Sequence, residues 1–184
     1  MSESLLSAGL GDSTLCAVSL SDREIAEVSR LKVLFLCTGN SCRSQMAEGW
    51  ARHLKGGEIE PYSAGIEIHG MNPRAVLVMQ EAGVDIRDQH SKRVEDVLEV
   101  EFDYVVTVCS HAHETCPIFP GRARVIHVGF DDPPRLARDS TTEEEALSHY
   151  RRVRDEIRDF IATLPEGLSS AGAPGPDPSE SVEG

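Results

Sequence analysis

The chain has no apolar run long enough to cross a membrane as a helix. Its first residues do not resemble a secretory leader. Glu3 precedes any lysine or arginine, and Ser, Gly and Asp interrupt the early apolar residues. A cytoplasmic protein is therefore expected. Basic charge is scarce, with 18 Lys and Arg against 31 Asp and Glu and a formal net charge of −13. That balance leaves no footprint for nucleic acid. No internal repeat is visible. There are five cysteines, but without a secretory leader they argue against a disulfide scaffold and for reactive or metal-binding thiols. The 184 residues suffice for one domain with a sizeable core and two trimmings.

The most informative stretch is Cys37-Thr38-Gly39-Asn40-Ser41-Cys42-Arg43-Ser44, which follows the apolar run Val33–Leu36. The run reads as a buried strand. Residues 44–54 read as a helix with Met46, Ala47, Trp50, Ala51 and Leu54 on one face. A strand-to-helix loop presents backbone N–H groups and the positive end of the helix dipole, which suits a tetrahedral oxyanion. Thr38, Gly39, Asn40, Ser41, Cys42, Arg43 and Ser44 are thus the expected oxyanion-binding residues. Cys37 at the base is the expected nucleophile. The same field, Arg43 and the Ser44 hydroxyl should favour its thiolate. Arg43 offers a planar fork for two oxygens of a bound anion. Cys42 is expected to pack with its side chain turned away.

Strands alternate with helices along the rest of the chain. Residues 32–36, 58–63, 103–108 and 123–128 read as strands. Asn72-Pro73 caps and opens a helix that runs to about Ala82 and ends at Gly83. A short helix is expected over 91–98. After Thr141 or Thr142, with Glu144 or Glu145 three residues on, a last helix keeps Leu147, Tyr150, Val153, Ile157, Phe160 and Leu164 on one face. This pattern predicts an α/β fold, an open four-stranded parallel sheet with helices on both faces. Residues 1–31 read as an extension, with a short helix over 21–31, and 32–164 as the catalytic domain. Residues 165–184 read as a disordered acidic tail, because 12 of them are Pro, Gly or Ser.

Ligands in such folds bind beyond the carboxyl ends of the strands. Cys109 follows the strand at 103–108 and belongs to the edge where Cys37 lies, as a candidate resolving thiol. Cys116 comes seven residues later. An intact helix would separate the two by about 10.5 Å, whereas a disulfide needs Cα atoms closer than about 7 Å. They can bond only if the segment between them is irregular or unwinds. Two packed cysteines remain an alternative. So does a metal site drawn from Cys109, His111, His113 and Cys116, although the spacing matches no usual zinc pattern. Asp131-Asp132-Pro133-Pro134 follows the last strand, and a carboxyl facing a bound oxyanion suits a general acid.

Together these motifs resemble the thioredoxin-coupled arsenate reductases, which share the low-molecular-weight tyrosine phosphatase fold. The match is carried by residues 37–50, Tyr62-Ser63-Ala64-Gly65-Ile66-Glu67, Asn72-Pro73, Val105–Cys109, Cys116-Pro117-Ile118, Gly129–Pro133 and Arg152–Ile157. It covers about residues 32–164. The resemblance implies that Cys37 attacks arsenate, Asp132 protonates the leaving oxygen, and Cys109 forms a transient disulfide with Cys37. Cys116 would then form a disulfide with Cys109, which thioredoxin reduces. Phosphate and sulfate would compete as anions. No tightly bound cofactor, metal, nucleic acid or membrane is implied, and a monomer is expected. Family members with a potassium site place an acid where this chain has Lys92, near Asn40, Glu48 and Ser63, so the ammonium is expected to replace the cation. Two other readings compete. One is a phosphatase using only Cys37, Arg43 and Asp132, with weak activity of that kind as a side reaction of the first reading. The other is a non-enzymatic redox or binding module.

Overall fold

The computed structural model describes residues 30–119 and 122–170. Four parallel strands form one sheet in the order β2-β1-β3-β4: β1 Leu31–Cys37, β2 Ile59–Gly65, β3 Tyr104–Thr107 and β4 Arg124–His127. The helices are α1 Arg43–Lys55, α2 Pro73–Glu81, α3 Ser110–Glu114, α4 Pro133–Leu136, α5 Glu143–Ala162 and α6 Glu166–Ser170. Two 3₁₀ turns, Val94–Val97 and Ala137–Asp139, complete the order.

The strand order follows from burial. Val33–Leu36 are all fully buried, as a central strand flanked on both sides requires. β1 pairs with β2 on one side and β3 on the other, with Phe35 opposite both Ser63 and Val106. The chain reverses its winding direction at β1. Right-handed crossovers then place the β1–β2 and β2–β3 connections on opposite faces. α1 packs against β1, β2 and α5. The residues after β1 therefore sit at the topological switch point, where open sheets of this kind bind ligands.

Local rules account for most helix boundaries. The Asn72 side chain accepts hydrogen bonds from the Arg74 and Ala75 backbone N–H groups, with Pro73 at the first helical position of α2. Gly83, at φ +79°, ends that helix. Thr142 caps α5 by accepting from the Glu145 N–H, and Glu145 reaches back to Thr141. The expected apolar face of α5 is buried at Leu147, Tyr150, Val153 and Ile157. Phe160 is half-buried with its ring against Phe130.

Four expectations shift. Leu54 is 41% exposed, because residues 52–54 are all uncovered and the last turn of α1 overhangs its packing partners. The helix expected over 91–98 shrinks to the turn Val94–Val97. Ser91 to Arg93 are held on the loop and sheet instead: Gly65 N–H donates to Lys92 O, and Arg93 bridges to Gly65. The chain beyond Pro165 is not all tail, since α6 forms there and Leu168 is 1% exposed against the core. Of the helix expected over 21–31, Leu31 begins β1 and 21–29 lie outside the described residues, as do 1–20 and 171–184.

Candidate active site

The loop after β1 is built around a buried asparagine. Asn40 adopts a left-handed backbone (φ +43°), which Asn tolerates better than most residues. Its amide uses its whole hydrogen-bonding capacity. Nδ2 donates to Ser44 Oγ at 2.9 Å and Ser63 Oγ at 3.0 Å. Oδ1 accepts from Gln45 Nε2 at 2.9 Å and the Lys92 N–H at 2.7 Å. The Asn40 carbonyl accepts from Gln45 Nε2 and the Ser91 hydroxyl. The chain after β2 closes the outside of the loop by extending the parallel ladder. Ile66, Glu67, His69 and Asn72 donate their N–H groups to the carbonyls of Cys37, Thr38, Gly39 and Ser41. Gly65 permits that approach, because a Cβ there would lie 2.4 Å from Glu67 O and 2.7 Å from Asn40 N.

Cys37 Sγ receives the Asn40 N–H at 3.2 Å and lies 2.9 Å from Ser44 Oγ. The Ser44 oxygen already accepts from Asn40, so its hydrogen is free to be donated to the sulfur. Cys42 differs sharply. Burial pushes its thiol far above the ordinary range, outweighing the opposing pull of Arg43. The two cysteines of the loop thus have separate characters: one is solvated by donors, the other a small apolar filler.

A cavity of about 250 Å³ opens over the loop, lined by Cys37, Thr38, Gly39, Ser41, Cys42, Arg43, His69, Asp132 and Pro134. Of the seven residues expected to hold an oxyanion, Thr38, Gly39, Ser41, Cys42 and Arg43 line it, while Asn40 lies behind it as scaffold. Ser44 also lies behind it, on Cys37. Arg43 Nη2 pairs with Asp132 Oδ1 at 3.0 Å, and Nη1 donates to the Phe130 carbonyl at 3.0 Å. Asp132 precedes α4 but makes no capping bond with its side chain, which leaves the carboxylate facing Arg43. The neighbouring Asp131 is turned to Arg152 of α5. The structure therefore separates two adjacent acids that a sequence pattern treats alike.

Cys109 ends up beside this loop, its Sγ 3.4 Å from Thr38 Oγ1. Cys116 lies beyond α3, half-buried, with burial raising its thiol above the ordinary value. Cys37, Cys42, Cys109 and Cys116 are all free thiols. Among the described residues no group of three or more His, Cys, Asp and Glu is placed to hold a metal. The alternative metal set at 109–116 is therefore not assembled, and His113 faces β4 instead. Lys92 reaches the Glu48 carboxylate at 3.5 Å and the His90 carbonyl at 3.3 Å. Glu48 also accepts from Ser63 and Arg52.

The low molecular weight phosphotyrosine protein phosphatase family matches residues 32–171. The chain belongs to this family. It is 51% identical over 134 residues to an arsenate reductase of Halalkalibacterium halodurans, covering 73% of this chain and 94% of that one. It is 52% identical over 134 residues to an arsenate reductase of Bacillus subtilis, with the same coverage. Among solved structures it resembles an arsenate reductase in the phosphate binding state (TM-score 0.59, 29% identity, covering 78% of this chain and 99% of that one). An arsenate reductase in the oxidized state is similar as well, with TM-score 0.60, 31% identity, and coverage of 72% and 95%. The four-stranded parallel sheet with its helices matches these structural neighbours. Among the described residues no helix is long and apolar enough to cross a membrane.

Two members of the site were not singled out by residue type or spacing in the sequence. Gln45 looks like a surface helix residue, yet it is fully buried on Asn40. His69 lies in a turn without a sequence partner, but its imidazole leans over Gly39 and pairs with Glu67 at 2.8 Å.

Proposed function

We propose that the chain reduces arsenate to arsenite with three cysteines in turn, and that thioredoxin restores the reduced enzyme. The observation that carries this reading is the nearness of a second thiol to the oxyanion cavity: Cys109 contacts Thr38, the residue next to Cys37. A hydrolytic phosphatase has no use for that thiol.

In the first step the Cys37 thiolate bonds to arsenic, and one arsenate oxygen leaves as water with a proton from Asp132. Arg43 and the loop N–H groups hold the remaining oxygens. Asp132 and Arg43 share an ion pair, so entry of an anion must draw the guanidinium partly from the carboxylate. In the second step the Cys109 thiolate attacks Cys37 Sγ. The Cys37–Cys109 bond forms, the S–As bond breaks, and its electron pair stays on arsenic, which leaves as arsenite. In the third step Cys116 attacks Cys109, the Cys109–Cys116 disulfide forms, and Cys37 leaves as thiolate. Two thiols of thioredoxin then reduce that disulfide. No tightly bound cofactor enters the scheme.

The test is arsenate-dependent NADPH oxidation with thioredoxin and its reductase. The wild type turns over, and Cys37→Ser, Cys109→Ser and Cys116→Ser each fall to background. Asp132→Asn lowers kcat by about 100-fold. Normal turnover of Cys116→Ser with thioredoxin would overturn the three-cysteine scheme.

Weak phosphatase activity belongs to the same proposal, because phosphate and arsenate have the same shape and charge. The rim favours a small anion, since Pro134 and His69 line it where an aryl-phosphate site would want stacked rings. Lys92 is proposed to stand in for a potassium ion, with its ammonium between Glu48 and the His90 carbonyl. Turnover should then be equal in potassium and sodium salts at matched ionic strength. A strong rise in potassium alone would refute that role.

A further inference from the structure

α3 carries the residues between Cys109 and Cys116, so in the proposed scheme it must unwind once per cycle. Its five residues are held by little. Ala112 is buried beneath it, and within the helix His113 N–H donates to Cys109 O. One side-chain contact ties its exposed side to the sheet. The His113 ring lies on the His127 ring of β4, centroids 4.6 Å apart and tilted by 30°. Both rings turn Nδ1 to the same hydroxyl: Thr107 Oγ1 is 3.3 Å from His113 Nδ1 and 3.0 Å from His127 Nδ1. Thr107, at the end of β3, is fully buried.

The hydroxyl has one hydrogen and two lone pairs. Its third neighbour is the Ile126 carbonyl at 3.3 Å, which can only accept. A single arrangement satisfies all three contacts. Thr107 donates to Ile126 O and accepts from the Nδ1–H of both imidazoles. Each histidine is thereby fixed in orientation and tautomer by a buried group, although its outer edge faces solvent. Gly129 leaves room for the His127 ring, since a Cβ there would come within 3.1 Å of its Nε2.

We infer that His113, His127 and Thr107 form a latch that holds the Cys109–Cys116 segment helical, so that His113 is a positioning residue for the transfer of the disulfide to Cys116. The inference rests on the three-cysteine reading for its consequence, but the latch is a property of the reduced protein alone. With the latch closed, α3 keeps Cys116 away from Cys109 and half-buried, where its thiol resists ionisation. With the latch open, the segment can unwind, the Cys116 thiolate attacks Cys109, and Cys37 departs as thiolate. The proton from Cys116 goes to solvent. The Cys37–Cys109 bond is exchanged for the Cys109–Cys116 bond with no net change in oxidation state. The latch thus separates the first disulfide in time from the second.

His113→Ala, His127→Ala and the double variant test this in the full chain. In reduced protein, amide hydrogen exchange over residues 110–116 should quicken about five- to tenfold in each single variant. The double variant should add no more than about twofold to that, since both act on one contact. Exchange in α1 and α5 should stay unchanged. In single turnover with arsenate, the Cys37–Cys109 disulfide, trapped in a Cys116→Ser background, should form within about twofold of the parent rate with or without His113. Transfer to the Cys109–Cys116 disulfide should speed up about three- to tenfold. His113→Phe, which keeps a ring but has no Nδ1–H, should fall between wild type and alanine. Unchanged hydrogen exchange in both single variants would overturn the latch. Additive effects of the two substitutions would overturn it as well. If wild-type protein forms no Cys109–Cys116 disulfide, the three-cysteine reading fails, while hydrogen exchange still decides the latch.

Discussion

The loop at 37–44 and the segment at 109–116 both carry free cysteines at the same edge of the sheet, yet they are built in opposite ways. The loop is roofed by backbone bonds from 66–72 and anchored beneath by Asn40, Gln45, Ser63 and Lys92. The carbonyls of residues 37–42 and the Asn40 amide are all hydrogen-bonded, which fixes the N–H groups that face the cavity. The segment at 109–116 is a five-residue helix with one buried alanine and a histidine contact, followed by Ile118 at 97% exposure. A site that stabilises developing charge gains from donors fixed before the reaction. A thiol that must travel to another gains from weak local structure. The proposed relay would need both, and the protein concentrates its buried polar bonds in one place and leaves the other sparse.

Four measurements would break or sharpen that contrast. The largest effect is expected from Asn40→Ala, which leaves Gln45, Ser63 and the Lys92 N–H short of partners at a buried site. Each orphaned group costs about 1–3 kcal/mol, so a loss near 3 kcal/mol should appear as a lower urea midpoint. Gly65→Ala comes next. Its Cβ would press on backbone atoms of the loop and of the chain roofing it, not on flexible side chains. A cost of about 2 kcal/mol is expected, with a drop in kcat/KM because the loop itself must shift.

The third test uses pH. The Cys42 thiol is raised by burial in the folded protein, whereas in the unfolded chain it ionises near its ordinary value of 9.0. Its contribution to stability is therefore complete below that pH and is lost as pH rises above it. The loss is about 1.4 kcal/mol per pH unit. Urea unfolding between pH 8 and pH 10.5 should show this alkaline decline, and Cys42→Ala should flatten it. The smallest effect belongs to the other region. Ile118→Ser should change stability by less than about 0.5 kcal/mol, and a larger change would mean that the segment is better anchored than its exposure suggests.

The strands and the longer helices were legible because each rests on a local signal. Val33–Leu36 had to be buried, Asn72-Pro73 had to begin a helix, and Thr142 with Glu145 had to begin another. The short helix expected over 91–98 was not legible. Its first residues serve Asn40 and Gly65, which lie 26 or more residues earlier in the chain. α6 was hidden by composition, since Gly167 and two serines mask the one buried leucine. In the site, the loop with Cys37 and Arg43 and the acidic pair Asp131-Asp132 were marked by residue type and position, whereas the choice of Asp132 came only from the resemblance. Gln45 and His69 were not, because what places them at the site is packing against Asn40 and Gly39, which no periodicity or spacing marks.

The sequence by itself determined the strand–loop–helix that presents Cys37, the sheet edge to which Cys109 and Asp132 belong, and the family. These depend on periodicity and on residues adjacent in the chain, which act at short range. Only the tertiary structure decided that Asn40 is scaffold while its neighbours line the cavity, and that Asp132 rather than Asp131 faces Arg43. It alone brought His113 and His127 onto one hydroxyl. Those outcomes turn on which buried donors and acceptors meet across distant segments. A buried polar group takes the partner that packing brings within about 3 Å, and that partner has no fixed spacing along the chain.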